Sequence, residues 1–83
     1  MAQVQVRFFA VARDRLNGID NDSFTLPDAS SETAIKIAIA ERYPAIEQLL
    51  KFSRLAHNHA FIRGAVELSD GDELAVIPPV SGG

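Results

Sequence analysis

Residues 31–43 constrain this chain most, because a helix there leaves only short alternating segments on either side. The pattern itself is two-sided, since Ile35, Ile37 and Ile39 alternate as a strand would. Other signals favour helix: Ser31 can cap a first turn, Glu32 suits its positive end, and alanines stand at 34, 38, 40 and 45. Pro44 supplies the stop. About a dozen residues without a turn signal is long for a strand in so small a domain, and length decides for helix. Ile35, Ala38, Ile39 and Arg42 then share one face, with Ile37 at the flank of the apolar stripe. Beyond Pro44, Ile46, Leu49 and Leu50 repeat at helical spacing and add a short second helix.

The flanks read as strands. Across residues 3–9, Val4, Val6 and Phe8 alternate with Gln5, Arg7 and Phe9, as in a half-buried strand. Residues 10–16 form a turn or two of helix, which Gly18 ends in a left-handed conformation. Asp20-Asn21-Asp22 makes a polar turn before a strand at 23–26 that buries Phe24 and Leu26, closed by Pro27-Asp28. After the helices, residues 54–58 are extended with Leu55 and His57 on one face, and Asn58-His59 turn tightly into Ala60-Phe61-Ile62. Residues 66–68 lead to the turn Ser69-Asp70-Gly71-Asp72. In the last strand, residues 73–77, Leu74 and Val76 share one face while Ala75 and Ile77 share the other. The early strands pair as a hairpin and the helix crosses to a strand elsewhere in the same sheet. The expected fold is α+β: one mixed sheet of four to five strands wrapped on one main helix.

Composition narrows the function. Eighty-three residues bury one modest core, giving a domain over residues 1–77 and a tail over residues 78–83. The chain has no cysteine, which removes disulfides, thiol catalysis and cysteine metal sites, and fits a reducing cytoplasm. Its start lacks a basic region followed by a long apolar stretch, and no run approaches membrane-spanning length. The expectation is a soluble, unprocessed cytoplasmic protein that uses no membrane. Net charge is −3 with scattered basic residues, so nothing recommends nucleic acid. His57 and His59 lack further ligands for a metal, and Asp70-Gly71-Asp72-Glu73 lacks the length of a calcium loop. Arg13, Asp14 and Arg15 read as a solvated face. No Ser-His-Asp set, phosphate-cradling loop or carboxylate pair stands out, so the chain by itself should catalyse nothing.

The tail is the exception to this plainness. Residues 74–83 carry no charged side chain, although 23% of the chain is charged, and they end in Pro78-Pro79-Val80-Ser81-Gly82-Gly83. A carboxyl group that must be attacked at its carbonyl carbon gains from having no Cβ beside it, as at Gly83. Gly82 lets the backbone pass a narrow channel in conformations other residues resist. Charges in place of Val80 or Ser81 would have to be desolvated on entering a partner's pocket. Pro78-Pro79 stiffens the base and lowers the entropy lost on insertion. Extended, the tail reaches roughly 20 Å. If Phe9 and Ile77 lie on the outer faces of neighbouring strands, they form an apolar partner patch beside its root. Cover by loops of the same domain is the alternative.

Val6-Arg7-Phe8-Phe9-Ala10, Arg42-Tyr43-Pro44, Asn58 in a turn, Asp70-Gly71-Asp72-Glu73 and the run from Ile77 through Pro78-Pro79-Val80-Ser81-Gly82-Gly83 together resemble the MoaD family, the small subunit of molybdopterin synthase. The resemblance covers essentially the whole chain and is most specific over residues 70–83. It implies a ubiquitin-like β-grasp fold. It implies further that an ATP-using, ubiquitin-activating-type enzyme adenylates Gly83, that a sulfur donor replaces the adenylate, and that the resulting thiocarboxylate passes sulfur to cyclic pyranopterin monophosphate on the large subunit. Two transfers would complete the dithiolene of molybdopterin. The chain itself would bind no cofactor. Gly82, Ser81, Val80 and Pro79 would be the recognised tail, and the assembly a heterotetramer with small subunits at its ends. His57, His59 and Arg63-Gly64-Ala65 depart from the family pattern without touching the tail. Alternatives are a β-grasp sulfur carrier for thiamine synthesis or tRNA thiolation, a ubiquitin-like modifier of lysines, and a plain binding module.

Overall fold

The computed structural model describes residues 1–79. Its first strand, β1 (Ala2–Phe8), follows the period-two pattern: Ala2, Val4, Val6 and Phe8 are buried and the residues between them exposed. It ends one residue before Phe9, where a short helix α1 (Ala10–Arg15) begins. Gly18 closes that helix at φ 90°, its N–H donating to the Arg13 carbonyl. The next strand, β2 (Asn21–Leu26), starts two residues earlier than the polar run Asp20-Asn21-Asp22 suggests. Asn21 and Asp22 pair with Arg7 and Val6 of β1, so cross-strand pairing overrides their turn preference.

The principal helix α2 (Glu32–Arg42) is where the residue pattern placed it. The Ser31 hydroxyl accepts from the Ala34 N–H at 3.0 Å, closing the first turn. Ile35 and Ile39 are fully buried, while Ile37 is 55% exposed. A 3₁₀ turn (Pro44–Ile46) and α3 (Glu47–Phe52) follow, burying Ile46 and Leu50. Then come β4 (Arg54–His57) and β5 (Ala60–Phe61), joined by Asn58 and His59 at φ 47° and 73°. Two successive left-handed residues match the twist of a tight hairpin. The last strand is β7 (Glu73–Ile77).

The main sheet has the order β2-β1-β7-β4-β5, with β1 and β7 parallel and the other neighbours antiparallel. The C-terminal strand therefore lies at the centre of the sheet, with Val6, Phe8, Leu55, Leu74 and Val76 buried together with Ile35, Ile39, Ile46 and Leu50. A second, two-stranded sheet was not expected: β3 (Ala29–Ser31) pairs with β6 (Ala65–Glu67). Three-residue strands such as Ala29-Ser30-Ser31 are too short to show alternation, and only their pairing reveals them. Among the described residues no helix is long and apolar enough to cross a membrane.

Candidate functional site

The outer face of the sheet, opposite the helix, is built from the residues that alternate with the core. One lateral row runs Arg7, Ala75, Ala56, Phe61 across β1, β7, β4 and β5. Two alanines in the middle of that row, between an arginine and a phenylalanine, make a depression of about 270 Å³. Phe9, His59, Glu73 and Ile77 complete its lining. Phe9 is thrown onto this face at the β1–α1 junction, where Ala10 takes φ 51°, and it remains 40% exposed. Ile77 is partly exposed beside it. The two residues expected to form an apolar patch line one hollow, and among the described residues no loop closes over them.

The pattern reading missed the other half of the hollow. Phe61 is 49% exposed, and the Arg54 guanidinium stacks on its ring at 3.9 Å; Arg7 sits 5.4 Å from the Phe9 ring centre. Arg7 also reaches Glu73 at 3.5 Å. Aromatic rings bordered by guanidinium groups are the surface chemistry that anchors protein partners. The signal in the sequence was the parity of Arg54 and Ala56, which places Phe61 only once the pairing of β4 with β5 and β7 is known.

The tail leaves from the rim of this hollow. Ile77 still pairs with Arg54 of β4, and the ladder stops there because Pro78 offers no N–H. Pro78 is buried and Pro79 exposed, so the chain departs from an anchored base. Val80, Ser81, Gly82 and Gly83 lie outside the described residues.

Two hydrogen-bonded carboxylates hold the frame. Asp72 accepts from His57 Nε2 at 2.7 Å and from the Ser69 N–H at 3.0 Å. The His57 bond above all draws its carboxyl below the usual range. Gly71, at φ 89°, permits the turn, and its N–H donates to the Gln3 carbonyl. At the other end, the Tyr43 hydroxyl donates to Asp22, and Arg42 reaches the same carboxylate at 3.2 Å while stacking on Phe24 at 3.9 Å. Tyr43 also meets Phe8 edge-on, with ring centres 5.4 Å apart. Arg42-Tyr43-Pro44 thus locks the end of α2 to β2. The Tyr43 hydrogen bond lowers the Asp22 carboxyl and raises the Tyr43 phenol. Among the described residues, no group of three or more His, Cys, Asp or Glu side chains is placed to hold a metal ion.

These shifts give a pH dependence with a definite sign. Both aspartates have folded-state values below the ordinary 3.8, so their stabilisation is present above that value and is lost as pH falls through the folded values. The Tyr43 contribution is complete below 10.0 and disappears as pH rises through its raised folded value. Thermal melts across pH should fall below about pH 4, and the acid limb should flatten in the Asp22→Asn, Asp72→Asn double variant. Tyr43→Phe should cost about 1 kcal/mol near neutral pH.

A protein-family model described as the ThiS family matches residues 6–83. A molybdopterin synthase sulfur carrier subunit from Chlamydomonas reinhardtii is 34% identical over 83 residues, covering 98% of this chain and 99% of its own. Among solved structures, the complex of subunits 1 and 2 of molybdopterin-converting factor from Helicobacter pylori contains a chain that aligns with a TM-score of 0.70 at 26% identity, over 98% of this chain and 99% of that one. Small archaeal modifier protein 1 from Methanosarcina acetivorans aligns with a TM-score of 0.80 at 24% identity, over 100% and 98% of the two chains, a likeness of fold alone.

Proposed function

The chain belongs to the ThiS family, and from that premise we propose that it is the sulfur-carrier subunit of molybdopterin synthase, with sulfur held on the Gly83 carboxyl as a thiocarboxylate. The fold is the ubiquitin-like β-grasp. The observation that carries the reading is the likeness to a sulfur carrier subunit over 98% of the chain, together with a family match that runs through Gly82 and Gly83. The geometry supports it: β7 is paired on both sides as far as Val76 and with β4 at Ile77, so the chain reaches Pro78 from the centre of the sheet.

The chemistry requires two partners. An adenylating enzyme lets the Gly83 carboxylate attack the α-phosphate of ATP, forming an acyl adenylate and releasing pyrophosphate. A sulfide-level donor then attacks the carbonyl carbon, AMP leaves, and a thiocarboxylate remains. On the large subunit, the thiocarboxylate sulfur bonds to a carbon of cyclic pyranopterin monophosphate as a carbon–oxygen bond at that carbon breaks and the oxygen leaves with its electron pair. Water then cleaves the acyl–sulfur bond, which leaves sulfur on the pterin and restores the carboxylate. In this reading Pro79, Val80, Ser81 and Gly82 thread the partner's channel, while Phe9, Ile77 and Phe61 seat the domain against it. The chain holds no cofactor, and the reaction takes place in the cytoplasm.

Intact mass tests the loading step. After incubation with the adenylating enzyme, ATP and a sulfur donor, one oxygen of the chain should be replaced by sulfur. Conjugation to lysines would instead assign a modifier, and an unchanged mass with a working control carrier would sink the proposal. The patch has its own check: Ile77→Ala and Phe61→Ala should each weaken binding to the large subunit by about 1–2 kcal/mol, measured by calorimetry. Unchanged affinity in both would remove the hollow from the interface.

A further inference from the structure

The helical side of the domain, opposite the sheet hollow, carries a second groove that sulfur transfer does not use. It runs between α2 and α3, has a volume of about 360 Å³, and is lined by Ile37, Ala40 and Leu50. Ile37 is out of place on a solvated face, because Ile35 and Ile39 already supply the buried side of the helix. Its side chain stands more than half exposed at the edge of an apolar trough. The charges around the trough are sorted by end. Lys36 and Lys51 line one end, and Glu41 and Glu47 lie toward the other, with Pro44. Among the described residues none of these four is in an ion pair. Lys36 and Lys51 are also the only lysines of the chain.

That order is self-complementary. Turning a second copy about a two-fold axis near Ile37 and Ala40 runs the two α2 helices antiparallel. Lys36 and Lys51 of each copy then face Glu41 and Glu47 of the other. Lys36 and Glu41 are five residues apart, roughly 7.5 Å along the helix, so both ends fit within one short contact. The same operation brings each Ile37 to the other copy's groove over Ala40 and Leu50. An isologous contact of this kind makes one patch serve both sides. A partner of uniform charge would meet repulsion at one end of the groove.

We propose that the α2–α3 groove is a homotypic docking surface, occupied by the same face of a second copy of this chain. The inference rests on the sulfur-carrier reading only in leaving the sheet hollow and tail free for the transfer partner. The groove is smaller than a standard stable interface, so the dimer is weak, dependent on concentration and weakened by salt.

Charge reversal tests this without disturbing the core, since Lys51, Glu41 and Glu47 are exposed and Lys36 partly so. Sedimentation equilibrium of the full chain at low salt should show a monomer–dimer equilibrium. The pair Lys36→Glu, Lys51→Glu and the pair Glu41→Lys, Glu47→Lys should each raise the dimer dissociation constant by roughly tenfold or more. Mixed together, the two variants should associate again, because each supplies the sign the other lacks. Ile37→Glu should be monomeric in every mixture. A wild-type chain that stays monomeric at millimolar concentration would overturn the proposal, as would variants that fail to complement when mixed. Wild-type self-association left unchanged by the reversals, with adenylation of the tail lost, would overturn it by assigning the groove to the activating enzyme. Thiocarboxylate formation is read separately by mass: a dimer without sulfur uptake defeats the carrier reading and leaves the homotypic contact standing.

Discussion

Deleting Gly83, or adding one residue beyond it, is expected to abolish sulfur loading and transfer while leaving the fold unchanged. One residue of extended chain moves the reacting carbonyl by about 3.5 Å. A misplacement of 1 Å already costs about 100-fold in a positioned reaction. Deletion makes Gly82 the terminus, so the reactive group falls short of the channel's end, and addition buries the original carbonyl in an ordinary peptide bond. Every buried core residue precedes the tail, so the melting temperature should match the parent within about 1 °C, as for substitutions away from the core. Intact mass after activation and single-turnover transfer to the large subunit read the two steps. Sulfur appearing on either variant at the parental rate would refute Gly83 as the attachment point.

Leu74→Ala should be the most damaging change within the domain. Leu74 is fully buried in the central strand, level with Val6 of β1 and His57 of β4. Removing it from a packed core costs about 2–5 kcal/mol, against a total of roughly 5–10 kcal/mol for a domain of this size. The melting temperature should fall by roughly 10–25 °C. Leu74→Met, which nearly conserves volume, should cost less than about 1.5 kcal/mol. Because β7 is both core and root of the tail, the alanine variant should also lose transfer activity near its lowered midpoint. A drop of only a few degrees would show that β7 does not bear the packing its burial implies.

Legibility was uneven, for physical reasons visible at particular residues. Val4, Val6 and Phe8 announced their strand because one side of β1 faces the core and the other faces solvent. Ser31 announced its helix because its hydroxyl caps the first turn. The start of β2 was misjudged because Asn21 and Asp22 favour turns in isolation, and only pairing with Arg7 and Val6 makes them strand. The β3–β6 pair gave no signal, since three residues do not establish a period. For the site, Phe9 and Ile77 were identified from the parity of their own strands. Phe61 and Arg54 were not, because the turn at Asn58-His59 was legible but the pairing that sets Ala56 between Ala75 and Phe61 was not.

What the sequence determined by itself was whatever local chemistry decides: the alternation of strand faces, the capped and proline-terminated helix, and a chargeless arm ending in Gly82 and Gly83. The tertiary structure decided what depends on pairing across long separations. It set β7 at the centre of the sheet beside β1, aligned Ala75 with Ala56 to open the hollow, and joined His57 to Asp72 and Tyr43 to Asp22. Those contacts join residues fifteen to nearly seventy positions apart in the chain. Periodicity and propensity act within a few residues, so only packing of the closed sheet against α2 selects among such partners.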